Sequence, residues 1–300
     1  IYPMEKCVDN LTCKEKTESK CCSNSEITIK SLTTNSDSQS KQTVINKSTG
    51  LKSFEENKLL QLAISKLPKN YSFEFPKTLL KIQTLYEELR ESKELAEDEP
   101  IIVAIQLPDG FAHFSVLISD ILQTFSSNCE TVILGDITYG ACCIDDLGCK
   151  QLGVHLLVHY GHSCLVPITE SLVRVMYVFV DIMIDIDDCS KIMEANFNKE
   201  QKLYLMGSIQ YNNSVFLVKK SLVKLGFSSV IIPQAKPRSS GEVLGCTSPV
   251  IPEENGIVIF ICDGRFHMES LMISNPQMTF YQYDPFLKQL SLEQYDTQLM

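Results

Sequence analysis

The chain has 300 residues, 44% of them hydrophobic and 21% charged, with no tryptophan. That length and balance suit a globular chain of about two domains and exclude collagen-like, disulfide-miniprotein and wholly disordered classes. Its 27 basic and 37 acidic residues give a net charge of −10 at pH 7, the wrong sign for gripping bare nucleic acid through phosphate neutralisation, and no local basic patch reverses it. Twelve cysteines are the unusual feature.

The first residues carry no basic, apolar and small-residue leader pattern. The longest apolar run, 173–184, is broken by Arg174 and Asp181 and falls short of the ~20 apolar residues that cross a bilayer. The expectation is a soluble, cytoplasmic chain with no membrane partner. In that compartment cysteines persist as thiols, metal ligands or small buried hydrophobes. Residues 1–50 contain 19 Ser, Thr or Asn and one aromatic, Tyr2, without any sustained period, which predicts a disordered tail. Its Cys7, Cys13, Cys21 and Cys22 match no zinc-hairpin spacing.

From residue 51 the pattern turns helical, and 78–94 predicts a second helix with Leu79, Ile82, Leu85, Tyr86 and Leu89 on one face. The texture then alternates between strand and helix. A buried strand is predicted over 101–107, then a helix over 114–125 capped by Asp109, a strand over 131–134, a short helix over 145–152 and a strand over 154–159. A second unit is expected from residue 173, with strands over 175–182, 203–208, 229–232 and 257–262 and a helix over 211–225. In each unit a strand leads into a loop holding one cysteine, Cys142 or Cys246, and 17 positions later the next strand ends, at His159 or near Asp263. Matched strand, cysteine loop and strand imply an internal duplication. The fold class is α/β: repeated small parallel-sheet domains, with 51–172 the first and 173–287 the second.

Ligands of open parallel sheets bind beyond the carboxyl ends of the strands. The residues that could carry chemistry fall there: Cys142 and Cys143 after Gly140-Ala141, His159 and His162 with Cys164, and Cys246 after Gly245, near Asp263 and His267. Thiolates bind soft metals or act as nucleophiles, and small neighbours let a bulky inorganic group approach the backbone. Burial as small hydrophobes explains Cys142, Cys143 and Cys246 equally well. It is the better account of Cys129, Cys149, Cys189 and Cys262, which lie within or beside predicted elements. His155 reads as a packing residue and His113 as a surface one. A cysteine hydrolase pairing Cys142 with a histidine is conceivable, but nothing selects the pair.

Three long segments decide between these readings: Gly135-Asp136-Ile137-Thr138-Tyr139-Gly140-Ala141-Cys142-Cys143, His159-Tyr160-Gly161-His162-Ser163-Cys164, and Gly241-Glu242-Val243-Leu244-Gly245-Cys246-Thr247-Ser248-Pro249. With Asp263-Gly264-Arg265-Phe266-His267 and Tyr283-Asp284-Pro285 they are collinear with, and closely resemble, the diphthamide biosynthesis protein 1 family, subunit 1 of the eukaryotic 2-(3-amino-3-carboxypropyl)histidine synthase. The resemblance covers about 51–300. It implies three α/β domains, with 288–300 the start of the third, each giving one cysteine to a 4Fe-4S cluster, with the first two donors mapping onto Cys142 and Cys246. It also implies transfer of the 3-amino-3-carboxypropyl group of S-adenosylmethionine, by radical chemistry, to a histidine of elongation factor 2. Implied partners are a paralogous subunit 2 and a small iron-carrying electron donor. Asp136, His159, His162 and Asp263 are candidate S-adenosylmethionine contacts by position alone. No remaining cysteine sits in a motif for the third donor, so the 300 residues alone are expected to bind a cluster poorly and to be inactive. The competing expectations are a non-catalytic scaffold or substrate-docking subunit of the same complex and a zinc-binding α/β protein.

Overall fold

Apolar residues with a 3.6 period form the helices and β-branched runs form the strands, in an order that follows the expected alternation in part. A computed structural model describes residues 47–96, 98–135, 143–163, 167–245, 247–253 and 255–296. Residues 1–46, on which the tail expectation falls, lie outside them. The helical region opens with α1 (Lys47–Glu55), so 47–50 belong to a helix rather than to a tail. It continues through α2 (Lys58–Ile64), which Asn57 caps through Oδ1, to the short strand β1 (Tyr71–Ser72) and α3 (Phe75–Glu91). Leu79, Ile82, Leu85 and Leu89 of α3 are buried, as their spacing requires.

The first sheet is built from β2 (Ile101–Gln106), β3 (Cys129–Ile133), β4 (Leu156–Tyr160) and β5 (Arg174–Val178), in the order β3-β2-β4-β5 and parallel throughout. Between β2 and β3 runs α4 (Ser115–Phe125), and α5 (Asp146–Gln151) precedes β4. Asp109 does not cap α4; a 3-10 turn over Asp109–Phe114 intervenes, and Phe114 makes no side-chain cap bond. β5 is a correction to the expected boundary at residue 172. It pairs with β4, Leu156 opposite Arg174, and so completes the first sheet instead of opening the second.

A two-residue strand, β6 (Asp181–Ile182), turns back to pair with β1, and α6 (Ile186–Asn196), which the sequence reading missed, follows. The second sheet contains β7 (Lys202–Gly207), β8 (Ser229–Ile231), β9 (Ile257–Ile261), β10 (Thr279–Asp284) and β11 (Gln289–Glu293), ordered β8-β7-β9-β10-β11. Helix α7 (Asn212–Lys224) links β7 to β8, and α8 (Phe266–Ser274) links β9 to β10. The segment from 288, expected to begin another domain, instead supplies the antiparallel edge strand β11.

Without β11, the two sheets have the same strand order. Their registers also match, since Val103 of β2 pairs with Leu156 and Leu203 of β7 pairs with Ile257. Alternation along the strands divides the core. Val103, Ile105, Leu203 and Leu205 join one large cluster with α3, α4, α6 and α7. On the opposite faces, Ala104 and Leu157 pack with Cys149 of α5, while Met206, Val258 and Phe260 pack with Met268 and Leu271 of α8. Both sheets are therefore covered on both faces, as parallel sheets require. No helix of the described residues is long and apolar enough to cross a membrane.

Candidate functional site

At the carboxyl edge of the first sheet, Gln106, His159 and Tyr177 stand in one register row across β2, β4 and β5. His159 is 1% exposed and meets Tyr177 edge-on, with ring centroids 5.5 Å apart. Gln106 is equally buried. Its Nε2 donates to the Cys143 carbonyl at 2.8 Å, and its Oε1 accepts from the Asp145 backbone N–H at 3.1 Å. Asp145 then caps α5 through the Gly148 N–H, 2.9 Å. Thus the backbone just after Cys142 is fixed between a strand and a helix.

β4 ends in a turn at Gly161, whose φ of +77° favours glycine. A Cβ there would stand 2.7 Å from Phe111 Cε2. This turn aims the next two residues across to the second sheet. The His162 ring lies 6.0 Å from that of His267. Burial, and then His267 itself, pushes the His162 imidazole down to about 4. Burial also lowers His267, against the raising effect of Asp263 and Glu242. At neutral pH both rings are uncharged and can donate or accept a hydrogen bond. Ser163 donates to Glu242 Oε1 and accepts from Arg238 Nη1 at 2.6 Å. Glu242 and Arg238 are 3% and 5% exposed, and their 3.5 Å ion pair is buried. Glu242 Oε2 also accepts the Ser239 N–H at 3.1 Å. Among the described residues, Arg238 Nε and Nη2 have no hydrogen-bond partner.

The loop that carries Glu242 is tied to its own sheet by backbone. Gly207 N–H donates to the Gly241 carbonyl (2.9 Å), and Val243 N–H donates to the Gly207 carbonyl (3.1 Å). Leu244 and Thr247 exchange two backbone hydrogen bonds on either side of residues 245–246. A Cβ on Gly245 would overlap the Phe266 ring of α8.

Of the expected site residues, Asp136, Cys142 and Cys246 lie outside the described residues. His159 is a row member packed on Tyr177, His162 reaches the second sheet, and Asp263 is exposed just after β9, where its charge acts on His267, Tyr71 and Tyr211. Among the described residues, no three His, Cys, Asp or Glu side chains gather as a metal site. The chemistry of the donors nevertheless suits a cluster at the two cysteine loops. Burial, the main cause in each case, pushes the Cys129, Cys149 and Cys262 thiols up to about 12 and raises Cys189 as well. Those four stay protonated and are poor ligands. The flanks of Cys142 and Cys246 are brought to neighbouring sheet mouths, which the Ser163–Glu242–Arg238 network joins. Sequence reasoning passed over Gln106, Ser163, Arg238 and Glu242. The available signals were an amide ending an otherwise apolar strand and an Arg–Glu pair four apart in a cysteine loop.

A family model described as a putative diphthamide synthesis protein matches residues 107–300. The chain belongs to this family. Subunit 1 of 2-(3-amino-3-carboxypropyl)histidine synthase from Dictyostelium discoideum is 45% identical over 252 residues, 81% of this chain and 50% of that protein. The Bos taurus protein of the same name is 45% identical over 246 residues, 81% of this chain and 52% of its own length. The chain spans about half the length of the curated relatives it matches. Among solved structures, Dph2 from Pyrococcus horikoshii with a 4Fe-4S cluster is 25% identical, with a TM-score of 0.58 over 71% of this chain and 60% of that one. The same protein described without the cluster also gives a TM-score of 0.58, at 24% identity and the same coverage. The shared fold is the mixed α/β arrangement of parallel sheets.

Proposed function

We propose that these residues form the cluster-binding part of a 2-(3-amino-3-carboxypropyl)histidine synthase subunit 1, with Cys142 and Cys246 as two thiolate ligands of a 4Fe-4S cluster. The observation that carries this reading is the equivalence of the two cysteine loops. Each follows the edge strand beside the central strand of a sheet of the same order, and buried polar contacts bring the two mouths together. Soft thiolates on separate loops suit an iron–sulfur cluster, whose ligands need not be close in sequence.

When bound, the cluster would supply the electron that cleaves S-adenosylmethionine, the donor of the 3-amino-3-carboxypropyl group, for transfer to a histidine of elongation factor 2. The residues of the chain bind and orient. Asp136, His159, His162 and Asp263 are candidate S-adenosylmethionine contacts by their position in the sequence, and the neutral His162 and His267 offer hydrogen bonds without adding charge. A paralogous subunit 2 and a small iron-carrying electron donor complete the system, in the cytoplasm. The two-domain division belongs to the same proposal, with its boundary placed after β5.

The test replaces Cys142 and Cys246 singly by Ala in the natural protein that contains this region and follows modification of elongation factor 2. Loss of modification in both variants is expected. Activity surviving both changes would overturn the enzyme reading, and zinc in place of iron after anaerobic purification would overturn the cluster.

A further inference from the structure

We infer that Gln106 is a positioning residue for the Cys142 thiolate, an inference that rests on the reading of Cys142 as a cluster ligand. Gln106 shares a sheet face with Ala104, which packs with Leu157, Val154 and Cys149. A primary amide on such a face is unfavourable unless its donor and acceptor are both engaged. Both are engaged by one loop: Nε2 by the Cys143 carbonyl and Oε1 by the Asp145 N–H. The β3 side of the ladder ends where Leu134 N–H donates to the Ile105 carbonyl, 2.9 Å. At residues 143–145 the Gln106 amide stands in for the peptide group that a further strand residue would have offered. Asp145 hands the constraint on to α5 through its cap. Cys142 is bonded directly to the residue whose carbonyl is held.

The second sheet shows that the sheet itself does not require this amide. By register, Val103 corresponds to Leu203, so Gln106 corresponds to Met206, which is fully buried in the apolar cluster against α8. A sheet of the same order closes with methionine there, and its cysteine loop is held instead by the Gly207 backbone and by Glu242. Gln106 is therefore specific to the first loop, and Gln106→Met substitutes the residue that the duplicate already uses.

The experiment compares wild type, Gln106→Met and Gln106→Glu in the natural protein, anaerobic and cluster-free. It measures iodoacetamide labelling of Cys142 by mass spectrometry, with buried Cys189 as internal control, and amide exchange at Asp145. Gln106→Met is expected to raise both rates about tenfold, the loss expected for one to two net hydrogen bonds, and to leave Cys189 unlabelled. Gln106→Glu retains the acceptor but loses the donor, so Asp145 stays protected while Cys142 labels faster. Wild-type rates at Cys142 and Asp145 in Gln106→Met would overturn the inference. If that variant unfolds, shown by labelling of Cys189, the Cys142 rate in Gln106→Glu decides: a rise supports the clamp and no change overturns it. A Cys142→Ala protein that retains wild-type iron content after reconstitution would refute the cluster reading alone, leaving the clamp to be decided by the labelling rates.

Discussion

The corresponding edge rows of the two sheets differ in chemistry. In the first sheet Gln106, His159 and Tyr177 make a polar row; in the second the row is Met206, Phe260 and Gln282. One loop is therefore held by a neutral side-chain amide at the strand end. The other is held by backbone at Gly207 and by a buried Glu242–Arg238 pair that also reaches Ser163, in the loop after β4 of the first sheet. The same fold thus holds the flanks of its two cysteine loops by different means, and among the described residues only the second is linked by buried charge to the other sheet's mouth.

The largest expected effect breaks the charged side of this comparison. Glu242→Ala leaves the Arg238 guanidinium buried with Ser163 as its one side-chain partner among the described residues, and removing one partner of a buried ion pair costs about 3–5 kcal/mol. A thermal melt should fall by roughly 10 °C for a protein of this size. An unchanged midpoint would show that solvent reaches the pair. Gly161→Ala comes next, because it forces a side chain into a positive φ and against Phe111. About 2 kcal/mol of stability should be lost, read by urea denaturation.

The pH dependence sharpens the same junction. His162 has its imidazole pushed below the ordinary 6.5, to about 4. Between these values the unfolded chain holds a proton that the folded chain does not, so stability is fully present above 6.5 and falls as pH drops toward 4. The difference between wild type and His162→Asn, followed by denaturant titration at several pH values, should be confined to that window. A difference that is flat with pH would place His162 in solvent. The smallest effect concerns thiols away from the loops. Cys149→Ala should leave iron uptake unchanged, because burial keeps that thiol protonated; lost iron would add it to the ligand set.

Periodicity made much of the fold legible. Apolar runs with β-branched residues gave the six central and edge strands from β2 to β9 that flank the cysteine loops, and the 3.6 period gave α3, α4 and α7. β5 falls in the other unit from the one expected because the predicted strand 175–182 is divided between two strands in different sheets. β10 and β11 were missed because their buried Phe280, Gln282 and Tyr283 mix polar and aromatic residues. At the candidate site, the sequence drew attention to cysteines and histidines through their chemistry. Gln106 with Cys143, and Arg238 and Glu242 with Ser163, act through partners 37 to 79 positions away in the chain, a pairing that the strand-ending amide and the Arg–Glu spacing of four do not by themselves display.

The central claim is that the two loops jointly hold one iron–sulfur cluster. Its most direct test is the iron content and reduced-state EPR spectrum of the natural protein after anaerobic reconstitution, beside Cys142→Ala and Cys246→Ala. The expected result is a cluster signal in the wild-type protein that is lost or converted in both variants. Full iron and an unchanged signal in either variant would contradict the account.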